Sequence, residues 1–158
     1  MELEDSSQLL PSISLRLIPI PNFYSQLSRD GIPLQKIALM HGDRTLATTI
    51  NQRCIFWRTG SQCRFCAIEI SLNAGSTIER KTADQIIDVI EQARLENPSF
   101  ASHLTLTIGS QASEFDTIQS YIPLVKKIKQ RFPTLPIHVQ CEPVKDLDLL
   151  VVLHAPLS

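Results

Sequence analysis

The sequence predicts an α/β protein, with βα units arranged around a parallel sheet. Apolar and polar residues alternate over 104–108 and 137–142, the two-residue period of strands. Ala83, Ile86, Ile87, Ile90 and Ala93 form one apolar stripe at helical spacing. Strand-like and helix-like stretches then succeed one another along the chain, as crossover helices between parallel strands require. The 158 residues suit one domain with enough length to bury a core.

The elements follow in order. Residues 1–30 form a leader in which Pro11, Pro19 and Pro21 interrupt any long helix. In "IPLQKIALMHGDRTLATTINQ", two β-prone runs flank His41-Gly42-Asp43, which predicts a hairpin. Residues 1–44 are therefore an amino-terminal extension with the first hairpin arm. The second arm, 45–53, opens the βα region of 45–158 and runs directly into a cysteine-rich loop. "KTADQIIDVIEQARLENP" is a helix: Thr82 can cap it, Gln85 completes a capping box, and Pro98 enforces its stop. "HLTLTIGS" is a strand ending at Gly109. "FDTIQSYIPLVKKIKQRFP" is a second helix, with Asp116 as candidate cap and Pro123 marking either a kink or the true start. "PIHVQCEP" is another strand, and "KDLDLLVVLH" begins a third helix. About three βα units result.

Side-chain alternation sets Leu104, Leu106 and Ile108 against Thr105 and Thr107. It also sets Ile137 and Val139 against His138, Gln140 and Glu142. The polar set is expected to line the inner face of a barrel or half-barrel. A solvent-facing sheet surface is the alternative, disfavoured because parallel strands are usually covered on both sides.

Fifteen Lys and Arg balance sixteen Asp and Glu. A near-neutral chain with no basic stripe points away from nucleic acid and membrane surfaces. No apolar run has the length of a membrane span. "MELEDSSQLLPS" is acidic and polar, unlike a secretory signal. The expected compartment is the cytoplasm, where clustered cysteines are more often metal-binding or catalytic than disulfide-bonded.

"CIFWRTGSQCRFCAIEIS", residues 54–71, holds three of the four cysteines: Cys54, Cys63 and Cys66. A structural zinc site wants four closed ligands, usually from two pairs. This chain has one Cys-x-x-Cys, a single cysteine before it, and Cys141 across a large gap. A redox pair would use Cys63 and Cys66 and leave Cys54 unexplained. A four-iron cluster held by three thiolates keeps one iron open, which fits the count best, with zinc next. The cysteine loop, Gly109-Ser110 and Cys141-Glu142 each lie beyond the carboxyl end of a strand, where such folds place their chemistry.

Cys63-x-x-Cys66 with Phe65 just before the last cysteine resembles the cluster loop of radical S-adenosylmethionine (SAM) enzymes. Their common spacing puts three residues between the first two cysteines, whereas this chain has eight. With that spacing, "LATTINQRCIFWRTGSQCRFCAIEISLNAGSTIERKTADQI", "LTLTIGS" and "LPIHVQCEP" resemble, in order, a subgroup of radical SAM proteins typically encoded beside a nitrilase in bacterial gene clusters. The resemblance covers residues 45–148.

It implies a partial (β/α) radical SAM barrel. Cys54, Cys63 and Cys66 would ligate a [4Fe–4S] cluster whose open iron chelates S-adenosyl-L-methionine. Reductive cleavage would yield a 5′-deoxyadenosyl radical that takes a hydrogen atom from a small-molecule substrate. The electron would come from a donor such as flavodoxin or ferredoxin. Gly109 and Ser110 would stand where the SAM amino group binds, and Gln140 and Glu142 would touch SAM or substrate. Phe65, with Phe56 and Trp57, would shield the cluster or simply pack the loop. Arg53, Arg64 and Lys81 would offset its charge or lie in solvent. Cys141 is expected as a buried strand cysteine, His41 as a turn residue, and His103 and His154 receive no role. The family's barrel has more strands than these three units supply. An incomplete barrel with free edges, prone to pair with a companion chain, is therefore expected.

Overall fold

The computed structural model describes Ser14 and residues 17–154. Pro11 and the side chain of His154 fall outside the described residues. The fold is α/β, with a four-stranded mixed sheet in the order β1-β2-β3-β4. β1 (Leu39–His41) and β2 (Thr45–Thr49) form the expected antiparallel hairpin, with His41 opposite Thr45. Gly42 takes a φ of +69° in its connection, a left-handed conformation natural to glycine. β3 (His103–Thr107) pairs with β2, and β4 (Ile137–Gln140) pairs with β3, both parallel.

The cysteine segment contains two short helices, α1 (Ile55–Arg58) and α2 (Ile68–Asn73). α3 (Ala83–Glu96) starts on the expected capping box: Gln85 N donates to Thr82 Oγ1 at 3.2 Å, and Thr82 N donates to Gln85 Oε1 at 2.9 Å. The expected single second helix is two, α4 (Glu114–Gln119) and α5 (Ile122–Arg131). Ser113, not Asp116, caps α4, its Oγ accepting from Asp116 N at 3.0 Å. Pro123 lies in the first turn of α5, where its missing N–H has no intrahelical partner to lose. α6 (Asp148–His154) follows β4.

Strand register sorts the side chains into two faces. Leu46, Leu104 and Ile137 align, as do Thr48, Leu106 and Val139. Leu46, Leu104 and Leu106 are fully buried in a core with Ile86, Ile90 and Ile128 of the helices. α3 packs on α5, and Lys127–Asp84 and Arg131–Glu91 ion pairs at 2.7 Å run between them. The opposite face carries Thr105 with His138 and Thr107 with Gln140, all half-buried or exposed. Among the described residues that polar face is open, without the usual two-sided cover of parallel strands.

Within residues 17–38 the leader carries local structure where the sequence offered none. Two 3₁₀ turns, Asn22–Ser25 and Leu34–Lys36, pack against α3 and bury Phe23 and Leu34 in the core. Glu96 accepts from Asn22 N at 2.9 Å and Phe23 N at 2.7 Å. Asp88 accepts from Arg29 N at 2.9 Å and Arg29 Nε at 2.6 Å. This strap explains why α3 is buried beyond its predicted stripe, at Val89 and Asp88 as well.

Candidate functional site

β2 and β3 continue their pairing past the regular strands. Ile50 N donates to Thr107 O at 2.8 Å, Gly109 N to Asn51 O at 2.9 Å, and Ile55 N to Ser110 O at 2.8 Å. The start of the cysteine segment is thereby laid along Gly109-Ser110. The approach is close: a Cβ on Gly109 would overlap the Arg53 carbonyl and sit 3.1 Å from Cys54 Cα. Glycine is needed here for backbone proximity rather than for an unusual φ.

Several side chains hold this junction. Asn51 Oδ1 accepts from Arg53 N at 3.1 Å, and Asn51 Nδ2 donates to Gln111 Oε1 at 3.2 Å. Gln111 Nε2 donates to the Gly109 carbonyl, and Gln111 N is fixed to Thr117 Oγ1 at 3.0 Å. Glu69 reaches back from α2, accepting from Cys54 N at 3.3 Å and Arg53 Nη1 at 3.2 Å. Asn51, Gln111 and Glu69 were not singled out by sequence, because nothing local distinguishes a clamp from a solvated polar residue.

All four cysteines are free thiols. Cys54 and Cys66 are half-buried and Cys63 is exposed. Cys66 N donates to Cys63 O at 3.0 Å, which turns the Cys-x-x-Cys back on itself. Among the described residues, no three Cys, His, Asp or Glu side chains converge as a metal site, so the trio shares one segment without meeting at one point. Phe65 is 100% exposed, which rules out the loop-packing role weighed for it. Trp57 is half-buried, with an indole Nε1 that finds no partner.

Ser110 Oγ donates to Glu142 Oε2, so two of the expected cofactor contacts, from the ends of β3 and β4, meet. Gln140 lines the open sheet face with Thr105 and Thr107, and its carbonyl accepts from Tyr121 OH at 2.7 Å. Burial, with the neighbouring Cys141 and Glu142, pushes the Tyr121 hydroxyl up. Burial and Glu142 likewise push the Cys141 thiol up. Cys141, expected as a buried strand cysteine, instead lies one residue past β4 as a half-buried, protonated thiol packed on the core.

A cavity of about 400 Å³ opens beside Cys54 and Ser110, and Arg53, Arg58 and Arg80 line it. The cationic surround differs from the expected Arg53, Arg64 and Lys81. Arg80 arrives through its bridge to Asn51. Lys81 is buried instead of solvated. Its Nζ donates to Thr77 Oγ1 at 2.6 Å and to Ile78 O at 2.9 Å, and burial pulls its pKa down to about 8.

Of the three free thiols, Cys54 lines this cavity of guanidinium groups while Cys63 and Cys66 do not; thiols are the donor type that iron–sulfur clusters take, although the three do not converge. They would also bind zinc. Comparison of the chain with family models, curated proteins and solved structures gives no match. Among the described residues, no helix is long and apolar enough to cross a membrane.

Proposed function

We propose that this chain is a radical SAM protein in which Cys54, Cys63 and Cys66 hold a [4Fe–4S] cluster. The observation that carries the reading is the hydrogen bond from Ile55 N to Ser110 O at 2.8 Å. It joins the cysteine segment to the Gly109-Ser110 turn, two motifs separated by more than forty residues of sequence. Sequential parallel strands with α3 and α5 packed together support the view that β2, β3 and β4 begin a (β/α) barrel whose inner side is the polar face.

When bound, the cluster supplies one electron for reductive cleavage of the SAM sulfonium. The chain's own residues do the rest. Arg53, Arg58 and Arg80 offset the negative charge of a thiolate-bound cluster. Glu142, beside Ser110, offers a carboxylate that accepts a hydrogen bond from the amino group of SAM. Phe65, between Cys63 and Cys66 in sequence and fully exposed, would shield the cluster from water. The partners this reading calls for are a small-molecule substrate, a one-electron donor of the flavodoxin or ferredoxin kind, and a companion chain adding strands beside β4. A cytoplasmic, reducing compartment suits free thiols.

The test is product formation. Chain reconstituted anaerobically with iron and sulfide, then given dithionite and SAM, is expected to release 5′-deoxyadenosine, and the Cys54→Ala variant is expected to release none. A cluster without nucleoside would mark a non-catalytic iron–sulfur protein. Zinc bound in preference to iron would replace the reading with a thiol-based zinc domain.

A further inference from the structure

The open face of the sheet has a charge pattern that the cysteine segment does not explain. Register sets His138 beside Thr105, two residues along β3 from His103, and the two imidazole rings lie 6.5 Å apart. They line a cavity of about 480 Å³ with Arg44. Among the described residues, no Asp or Glu lines that cavity, nor the adjoining one of about 480 Å³ that shares Thr105 and Gln140. In a chain with sixteen carboxylate side chains against fifteen Lys and Arg, this is local segregation of charge. The five ion pairs among the described residues use neither Arg44 nor either histidine. Among the described residues, these side chains therefore line the cavity without an ion-pair partner.

Arg44 presents a planar fork that matches the oxygens of a phosphate, and imidazole N–H groups add donors at a second angle. Beyond them the face continues as hydroxyls and an amide: Thr105, then Thr107 with Gln140. We propose that this face binds a phosphate-bearing small molecule, its phosphate held by Arg44, His103 and His138 and its polar body lying along Thr105, Thr107 and Gln140. The strands then lead the body of the ligand towards their carboxyl ends, where the cysteine segment lies. The suggestion that this ligand is the substrate rests on the radical SAM reading. The binding itself does not.

Imidazole C–H resonances of the whole chain, followed by NMR during titration with inorganic phosphate, glycerol 3-phosphate, glycerate and glycerol, test it. Saturable shifts of His103 and His138 with both phosphates, and weaker binding of glycerate and glycerol, are expected. Arg44→Gln and His138→Gln, both at exposed positions, should each weaken binding about tenfold, the loss of one charge-assisted hydrogen bond. Melting of each variant at the parent temperature shows that the fold persists. Absent or unsaturable shifts, unchanged affinity in the double variant, or glycerate binding as tightly as glycerol 3-phosphate would overturn the proposal. Repeating the titration with and without reconstituted cluster separates the two readings. Phosphate binding in cluster-free chain stands even if no cluster can be assembled, and a cluster-loaded chain blind to phosphate removes only the phosphate site.

Discussion

Gly109 and Lys81 show how single residues set the site. Gly109 lets the Arg53-Cys54 backbone lie against the end of β3, so even one added methyl must push the segment away. Gly109→Ala is expected to cost about 1–3 kcal/mol, as overpacking does, read as a lower midpoint in urea unfolding. Parent-like stability would mean that the close approach is not needed. Lys81 makes a different statement. Its folded pKa, about 8, lies below the ordinary 10.5, so between those values the unfolded chain binds more protons and stability contributed by this group rises with pH. Comparing wild type with Lys81→Met in urea at pH 7.5 and pH 10 should show the difference moving in favour of wild type at the higher pH. Parallel behaviour of the two proteins would contradict the burial of an unpaired ammonium. Sequence put Gly109 beside the SAM amino group, since it cannot say that the Arg53-Cys54 backbone passes there. It left Lys81 solvated or beside the cluster, because burial depends on the 77–78 turn folding over it.

Among the elements, what could be read in advance was local. The α3 capping box spans four residues and the hairpin turn three, so their sequence neighbours contain the whole interaction. The strap of residues 17–38 could not be read, since its anchors lie 59 to 74 residues away at Asp88 and Glu96. The α4–α5 break was hidden because one apolar pattern runs through both helices and only Pro123 marks the restart. Glu96→Gln should weaken the strap by about 1–2 kcal/mol, because its carboxylate accepts from Asn22 and Phe23 together. Limited proteolysis should then cut within residues 17–30 several times faster than in the parent. Cleavage at an unchanged rate would show that the apolar contacts of Phe23 hold the strap alone. Acid acts on the same region. Ser28 and Gln85 hold the Asp30 carboxyl below its ordinary range, so its contribution is present above the unfolded pKa and is lost as pH falls through the folded one.

At the scale of the molecule, the two faces of the sheet divide the labour. One face, with α3 and α5, builds the core. The other is polar and open, and it runs from the Arg44–His138 end towards the carboxyl ends of the strands. The alternation of strand residues foretold which side chains share each face, but not that no described element would cover the polar one, because cover comes from other elements. The cysteine spacing likewise put three thiols on one segment, and among the described residues the fold does not bring them to one point. Iron and acid-labile sulfide should therefore be counted in anaerobically reconstituted wild-type chain and in the Cys54→Ala/Cys63→Ala/Cys66→Ala variant. About four irons and four sulfides per chain in the first and none in the second is the predicted result. One zinc ion, or equal metal in both proteins, would contradict it.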